Sequence, residues 1–453
     1  MNIGEMILKY KDELMKDMAD LIAIKSVSSN GKEEPQKALK WMLEKAESFG
    51  LKTKNLNNIA GHVEYGEGGK LCGVLTHLDV VPEGTGWDTN PYEMTVKDGR
   101  IYGRGVADDK GSAIVALYCL RALKEAGIVP NNRIRVIFGT SEEVGMEDME
   151  YYFSREPIPD MSFTPDSNYG ICRCEKGILQ LEISSKVHDG TTLTEFHSGT
   201  VINAVPDTAY ALMDCSENED HQLLRLADAK PGNFEFKYTI DGMMIISKGK
   251  AAHAACPEEG FNAATHLINL LAANFTHNVL GSVCAFIDSA VGVETNGNSM
   301  GIKMRDAASG ALTLNVGIVD INEKKSAVSI DIRYPVTMDG VRILEQIQKR
   351  AKLENLDVNV LEHRRPLQIN ENAPIIKILK NAYETVMGEE PTVYSTGGGT
   401  YARTLGGNGV AFGPVFDGDD CKLHDANESI NYDNFFKHAQ ICLEAMYEMV
   451  TNS

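Results

Sequence analysis

Six residues, His77, Asp79, Asp108, Glu142, Glu143 and Asp166, each stand where an apolar run of the chain stops, and a lone His424 follows far downstream. Imidazoles and carboxylates hold divalent metal ions, and a carboxylate that is not a ligand is left to carry protons. The set reads as a two-metal hydrolase site spread over the ends of several strands.

Each member also has a plainer reading. His77-Leu78-Asp79 puts two polar side chains on one face of an extended segment, where the aspartate can accept the imidazole's second N–H and set its tautomer. A turn that holds both residues is the alternative. Gly103-Arg104-Gly105-Val106-Ala107-Asp108-Asp109-Lys110-Gly111 is a glycine-rich entry to an apolar helix. It lacks the GxGxxG order and the Walker spacing of nucleotide loops. Asp108 is therefore read as a bridge between two cations or as a helix N-cap, a role open to Asp109 as well. Glu142-Glu143 taken alone is a solvated pair. In an extended segment neighbours point to opposite sides, so one can bind metal while the other faces the substrate as a general base. Asp166 and His424 gain weight only from the set.

The elements that must position these residues are those of an α/β region. Leu71 to Leu75 reads as a buried strand ending at Thr76-His77-Leu78-Asp79, Ile134 to Phe138 as a second ending at Glu142-Glu143, and Met161 to Thr164 as a third ending at Asp166. Between them Gly111 to Glu125 is a nearly all-apolar helical run, to be buried against the sheet. Ligands of open α/β sheets gather at the carboxyl ends of the strands, where all these residues fall. From about Gly177 the texture changes to alternating and isolated β-type stretches (Ile178 to Ile183, Ala311 to Val319, Ala327 to Ile332), read as an inserted α+β domain. After Pro366 helical patterning resumes, followed by the Gly397-Gly398-Gly399 loop, His424 and a last helix from Phe435 to Val450. The expected organisation is a catalytic domain with a mixed, mostly parallel sheet over 1–177 and 367–453, interrupted by a lid domain over 178–366.

The chain has 453 residues, more than one ordinary core, with 43% hydrophobic and 24% charged residues as in soluble globular proteins. Its 44 basic and 64 acidic side chains leave a net charge of -20, which disfavours nucleic acid and anionic membrane as partners and leaves small molecules or peptides. The N-terminus reads as an amphipathic helix rather than a signal peptide, and no stretch approaches the roughly 18 apolar residues of a membrane span. Nine cysteines scattered through apolar segments are read as reduced thiols, which with the rest gives a cytoplasmic expectation. Cys172-Arg173-Cys174 suggests a metal or redox pair only at a glance; without a second pair it is read as strand. His62, His188, His197, His221, His266, His277, His363 and His438 fall outside the motifs and are read as surface or core residues.

In order and spacing, His77-Leu-Asp79, the Gly-Arg-Gly-x-x-Asp108-Asp-Lys-Gly run, Glu142-Glu143, Pro165-Asp166 and His424 resemble the co-catalytic zinc peptidases related to aminoacylase, carnosinase and carboxypeptidase G. The likeness is strongest to the PepV-type bacterial dipeptidases and extends to Gly86-Trp87-Asp88 and to Gly398 through Arg403. The resemblance implies one ion on His77, Asp108 and Asp166 and a second on Asp108, Glu143 and His424, with a cis peptide at Asp108-Asp109. Zinc is the first expectation for both, with manganese or cobalt as alternatives for the same donors. Asp79 would orient His77, and Glu142 would take a proton from the attacking water and hand it to the leaving amine. On the inserted domain, His253 would stabilise the oxyanion, a contribution of about 3 kcal/mol. Asn203 and Arg333 would bind the substrate's terminal carboxylate, Arg333 through its planar fork, helped by backbone groups around Gly398.

The first functional expectation is a dipeptidase acting on short peptides with a free N-terminus. Two features favour it: Asp166, where deacylase and carboxypeptidase relatives carry Glu, and the long insertion from Gly177 to Pro366, which in PepV-type enzymes imitates a dimer partner and so implies a monomer. The alternative is an N-acyl amino acid deacylase of the desuccinylase or acetylornithine type. A non-catalytic scaffold would have lost a base or a ligand, and every one is present.

Overall fold

The computed structural model describes residues 2–452, which form two compact units. The first comprises the chain up to Cys174, Gln368–Tyr394 and the stretch from Gly399 onward; the second is Glu175–Leu367 with Ser395–Gly398.

A nine-stranded mixed sheet organises the first unit. Leu71–His77 lies between Arg133–Gly139 and Met161–Thr164 and is parallel to both, and Gly409–Ala411 adds a further parallel neighbour beyond Met161–Thr164. Ala60–Tyr65, Lys52–Leu56 and Ile171–Glu175 join antiparallel. Every residue of Leu71–His77 is buried, as a strand covered on both faces requires, which explains its unbroken apolar run. The helix Lys110–Glu125 is buried along nearly its whole length, and Tyr432–Thr451 starts where the Asn431 side chain accepts the Asp433 and Asn434 N–H groups.

Three parallel strands in this register end at one edge. His77 is the last residue of its strand and pairs with Gly139, the last of the next; Thr164 ends the third. Asp79, Glu142, Glu143 and Asp166 follow within a few residues.

The second unit is an eight-stranded sheet whose pairings are antiparallel, in the order Asn233–Thr239, Gly242–Lys248, Thr208–Met213, Leu193–Ser198, Thr313–Asn322, Lys325–Tyr334, Gly177–Ser185, Asp357–Arg364. Thr208–Met213 and Gly242–Lys248 alternate between buried and more exposed residues, so one face carries the core. Ala263–Ala272 and Gly340–Leu353 supply apolar side chains to that core.

No helix among the described residues is long and apolar enough to cross a membrane. Cys172 and Cys174 are buried in a strand, which agrees with the plainer of their two readings.

Candidate active site

The glycine-rich run before Lys110–Glu125 exists because the backbone folds tightly on itself. Gly105 has φ +90°, and a Cβ on Gly111 would lie 2.1 Å from the Val106 carbonyl oxygen. The loop delivers Asp108 to the edge where the strands end, with a cis peptide to Asp109. Asp108 is almost fully buried, with Oδ1 3.0 Å from His77 Nε2 and Oδ2 3.0 Å from His424 Nε2. His424, in a left-handed backbone conformation (φ +64°), also stands 3.4 Å from Glu143 Oε2. Asp166 Oδ2 is 3.9 Å from His77 Nε2. Ligand atoms of His77, Asp108 and Glu143, and separately of His77, Glu142 and Asp166, lie within 4.8 Å of one another. All seven residues singled out in the first unit thus converge.

Asp79 meets His77 with two groups and the following turn with one. The nearest partner of His77 Nδ1 is the Asp79 main-chain oxygen at 2.9 Å, with the carboxylate oxygen at 3.5 Å. The carboxylate itself accepts the backbone N–H groups of Glu142 and Glu143 at 3.1 and 3.2 Å. Glu142–Val144 is a single helical turn rather than an extended segment, because its exposed amide groups are anchored on that carboxylate. The two glutamates still diverge, since successive side chains of a tight helical turn point about 120° apart.

Crowded carboxylates dominate the electrostatics. Burial pushes the Glu142, Glu143 and Asp166 carboxyls up, and the neighbouring Asp108 charge adds to the rise. Burial acts on Asp108 in the same direction, but the hydrogen bonds from His424 and His77 outweigh it and hold its carboxyl below the usual range. Hydrogen bonds that His424 donates to the Asp108 and Glu143 carboxylates raise its imidazole to about 11. The site is an acidic pocket that lacks enough positive charge for its own carboxylates. Glu143 Oε1 is buried without a hydrogen-bond partner, so oxygen and imidazole donors converge with one lone pair unspent. This donor set fits divalent cations.

Three supporting residues escaped the sequence reading. Glu428 is fully buried and accepts from Arg104 Nη1 at 2.8 Å and from the Gly105, Ala107 and Asp108 amides at 3.0 to 3.3 Å. Asp148 Oδ2 accepts from the Thr140 and Ser141 amides and from Tyr401 Oη, and the Tyr401 ring meets His77 edge-on. The signal available for Glu428 was a carboxylate four residues after His424, and for Tyr401 its place in the Gly398 to Arg403 stretch; Asp148 carried none.

In the second unit, the other candidates form a cluster of their own. The Asn203 carbonyl accepts the Ala254 N–H, and Ala204 pairs with His253. Thr313, opposite Arg333 in the sheet, donates to the Ala254 carbonyl. His253 Nδ1 accepts the Ala255 N–H at 3.1 Å, which leaves the neutral ring's proton on Nε2. The Arg333 fork is used otherwise than expected: its Nε and Nη2 meet the two oxygens of Asp331, two residues away on the same strand face, and Nη1 donates to the Gly397 carbonyl. Of its five N–H donors two remain for a ligand. Gly398 N–H is held by the Thr396 hydroxyl.

The sequence profile of the peptidase family M20/M25/M40 matches residues 73–448 of the chain. The chain belongs to this family. It is accordingly a peptidase, of a metal-dependent family. Among relatives of this M20 peptidase, the "putative dipeptidase YtjP" of Bacillus subtilis is 33% identical, with 99% of this chain and 100% of the relative covered. A "putative dipeptidase" of Staphylococcus aureus (strain USA300) is 31% identical over 98% of each chain. Two solved structures share the fold of the M20 peptidase at low identity. Human carnosine dipeptidase 1 has a TM-score of 0.64 at 15% identity, with 99% and 98% of the two chains covered. The dipeptidase Dug1p of Saccharomyces cerevisiae has 0.63 at 16%, with 100% and 99% covered.

Proposed function

We propose that this peptidase is a metal-dependent dipeptidase that hydrolyses dipeptides with a free N-terminus, with Glu142 as general base. The observation that carries this reading is the Asp108 carboxylate, which turns one oxygen to His77 and the other to His424 at equal distances of 3.0 Å. A carboxylate flanked by imidazoles from distant parts of the chain would suit a ligand shared by two cations. His77, Asp108 and Asp166 would hold one ion, and Asp108, Glu143 and His424 the other. When bound, such ions lower the pKa of water and polarise the scissile carbonyl. Zinc is the first choice, and manganese or cobalt suit the same donors.

The chain's own residues supply the rest. Glu142, a half-buried residue whose carboxyl has its proton affinity raised above that of an ordinary glutamate by desolvation, accepts a proton from the attacking water and returns it to the leaving amine. His253, protonated on Nε2, donates to the developing oxyanion. Asn203, the two remaining N–H groups of Arg333 and backbone N–H groups of the Gly397-Gly398-Gly399 loop would hold the terminal carboxylate. The deacylase alternative gains no support from relatives similar over the whole chain, which carry dipeptidase names. We further propose that the enzyme works as a cytoplasmic monomer, for which light scattering of the purified protein and cell fractionation are the tests.

A substrate panel assayed with Zn²⁺, Mn²⁺ and Co²⁺ tests the main reading. Dipeptides are expected to exceed N-acetyl and N-succinyl amino acids in kcat/KM by on the order of a hundredfold or more. The reverse order would establish the deacylase instead.

A further inference from the structure

The two loops that carry Asp108 and His424 come from opposite ends of the chain, and one buried ion pair joins them. Glu428 lies four residues beyond His424, and its carboxylate receives the Gly105, Ala107 and Asp108 amides. Arg104, in the Asp108 loop, returns the connection. Its Nη1 donates to Glu428 at 2.8 Å, and its Nη2 points at the Asp425 carbonyl at 3.1 Å and at the Pro82 and Glu83 carbonyls. Arg104 and Glu428 are each about 1% exposed. The indole of Trp87 covers the guanidinium at 5.3 Å.

A buried pair of this kind gives little net stability, because desolvating both charges offsets most of their attraction. Its value here is geometric. The Glu428 oxygens are matched to three amides of the turn that leads to Asp108, and the Arg104 fork spans the segment from Asp425 to Glu428 that follows His424. Movement of either loop breaks several of these hydrogen bonds together. The separation between His424 Nε2 and Asp108 Oδ2 is thereby set by a device that touches neither side chain.

We infer that Glu428, with Arg104 as its partner, is a positioning residue that registers His424 against Asp108 and so builds the second cation position. The inference rests on the two-metal reading above. It assigns Glu428 no contact with substrate or reacting atoms.

The test is calorimetric titration of chelator-stripped full-length protein with Zn²⁺ or Mn²⁺, with metal content and thermal melting followed in parallel. Glu428→Asp keeps the charge but shortens the reach by one methylene, and Glu428→Gln keeps the size but sets an amide N–H against the donors of the loop. In both, at least one of the two ions is expected to bind at least about tenfold less tightly, the scale of effects of residues that support metal ligands. Glu156→Gln, which breaks the buried Arg135–Glu156 pair, is the control for general destabilisation and is expected to leave both affinities unchanged. Wild-type affinities in both Glu428 variants would overturn the inference, as would an equal loss in Glu156→Gln. Uptake of fewer than two ions by the wild type would instead refute the two-metal reading itself.

Discussion

His77 Nδ1 faces the main-chain oxygen of Asp79 at 2.9 Å and its carboxylate at 3.5 Å, and the same carboxylate accepts the amides of Glu142 and Glu143. The main chain of Asp79 thus shares the imidazole with its carboxylate, and the carboxylate also shapes the turn that carries the proposed base. Asp79→Asn should keep metal near the wild-type content, since the His77 contact survives, but lower kcat about 10- to 100-fold by removing one of the two acceptors under the glutamates. Metal analysis alongside steady-state kinetics decides it: metal lost in step with activity would return the carboxylate to the orienting role.

The two glutamates should part company. Glu142→Ala should retain both ions and lose about 10²- to 10⁴-fold in kcat, the usual range for a lost general base. Glu143→Ala should lose one ion, since its carboxylate is the one beside His424. The opposite pattern of metal retention would exchange their assignments.

Chelation should abolish turnover, and two equivalents of Zn²⁺, Mn²⁺ or Co²⁺ per chain should restore it. Titration of activity against added ion reads this directly; undiminished turnover in stripped protein contradicts the metal dependence.

Arg333→Lys is the informative change at the second unit. Lysine keeps a charge near the buried Asp331 but cannot reproduce two parallel hydrogen bonds and the Gly397 contact together. KM should rise about tenfold or more for dipeptides with a free C-terminus and much less for their amides. An equal rise for both would make Arg333 a brace of the Gly397 loop alone.

Two buried histidines outside the site should make the metal-free protein less stable in acid. Burial lowers His438 to about 3, beside Tyr169 Oη at 2.8 Å; burial and then the Arg135 charge lower His62 to about 4, against the opposing charges of Glu156 and Glu64. Both are neutral in the folded protein at pH 6, whereas unfolded histidine takes up a proton near 6.5. Their contribution is fully present above about 6.5 and is lost as pH falls toward the folded values, each at up to about 1.4 kcal/mol per pH unit. Denaturant melts at pH 6 and 5 should show a shallower loss in His438→Leu than in the wild type; identical slopes would contradict the assignment.

Much of the catalytic unit is legible in the chain because burial on both faces writes itself as apolar runs. Leu71–His77, Arg133–Gly139 and Met161–Thr164 were expected within about two residues of where they lie, and chemistry was sought at their ends for the same reason. The glycine-rich entry at Gly103 to Gly111 was equally visible, since its tight backbone excludes side chains. The helical turn at Glu142 was less so. It depends on Asp79, 63 residues earlier, whose carboxylate captures its amides.

By itself the sequence determined residue types, the family, the α/β pattern and the strand ends where polar residues gather, all of which follow from local periodicity and from chemistry carried by short motifs. Only the tertiary structure decided which carbonyl faces His77, that Asp331 occupies the Arg333 fork, and that Glu428 and Arg104 tie the loops of Asp108 and His424 together. Those relationships join residues through directional hydrogen bonds, in the Glu428 case across more than three hundred positions of chain. No periodicity records such a pairing; it exists once the strands have aligned and water has been excluded from the groups that pair.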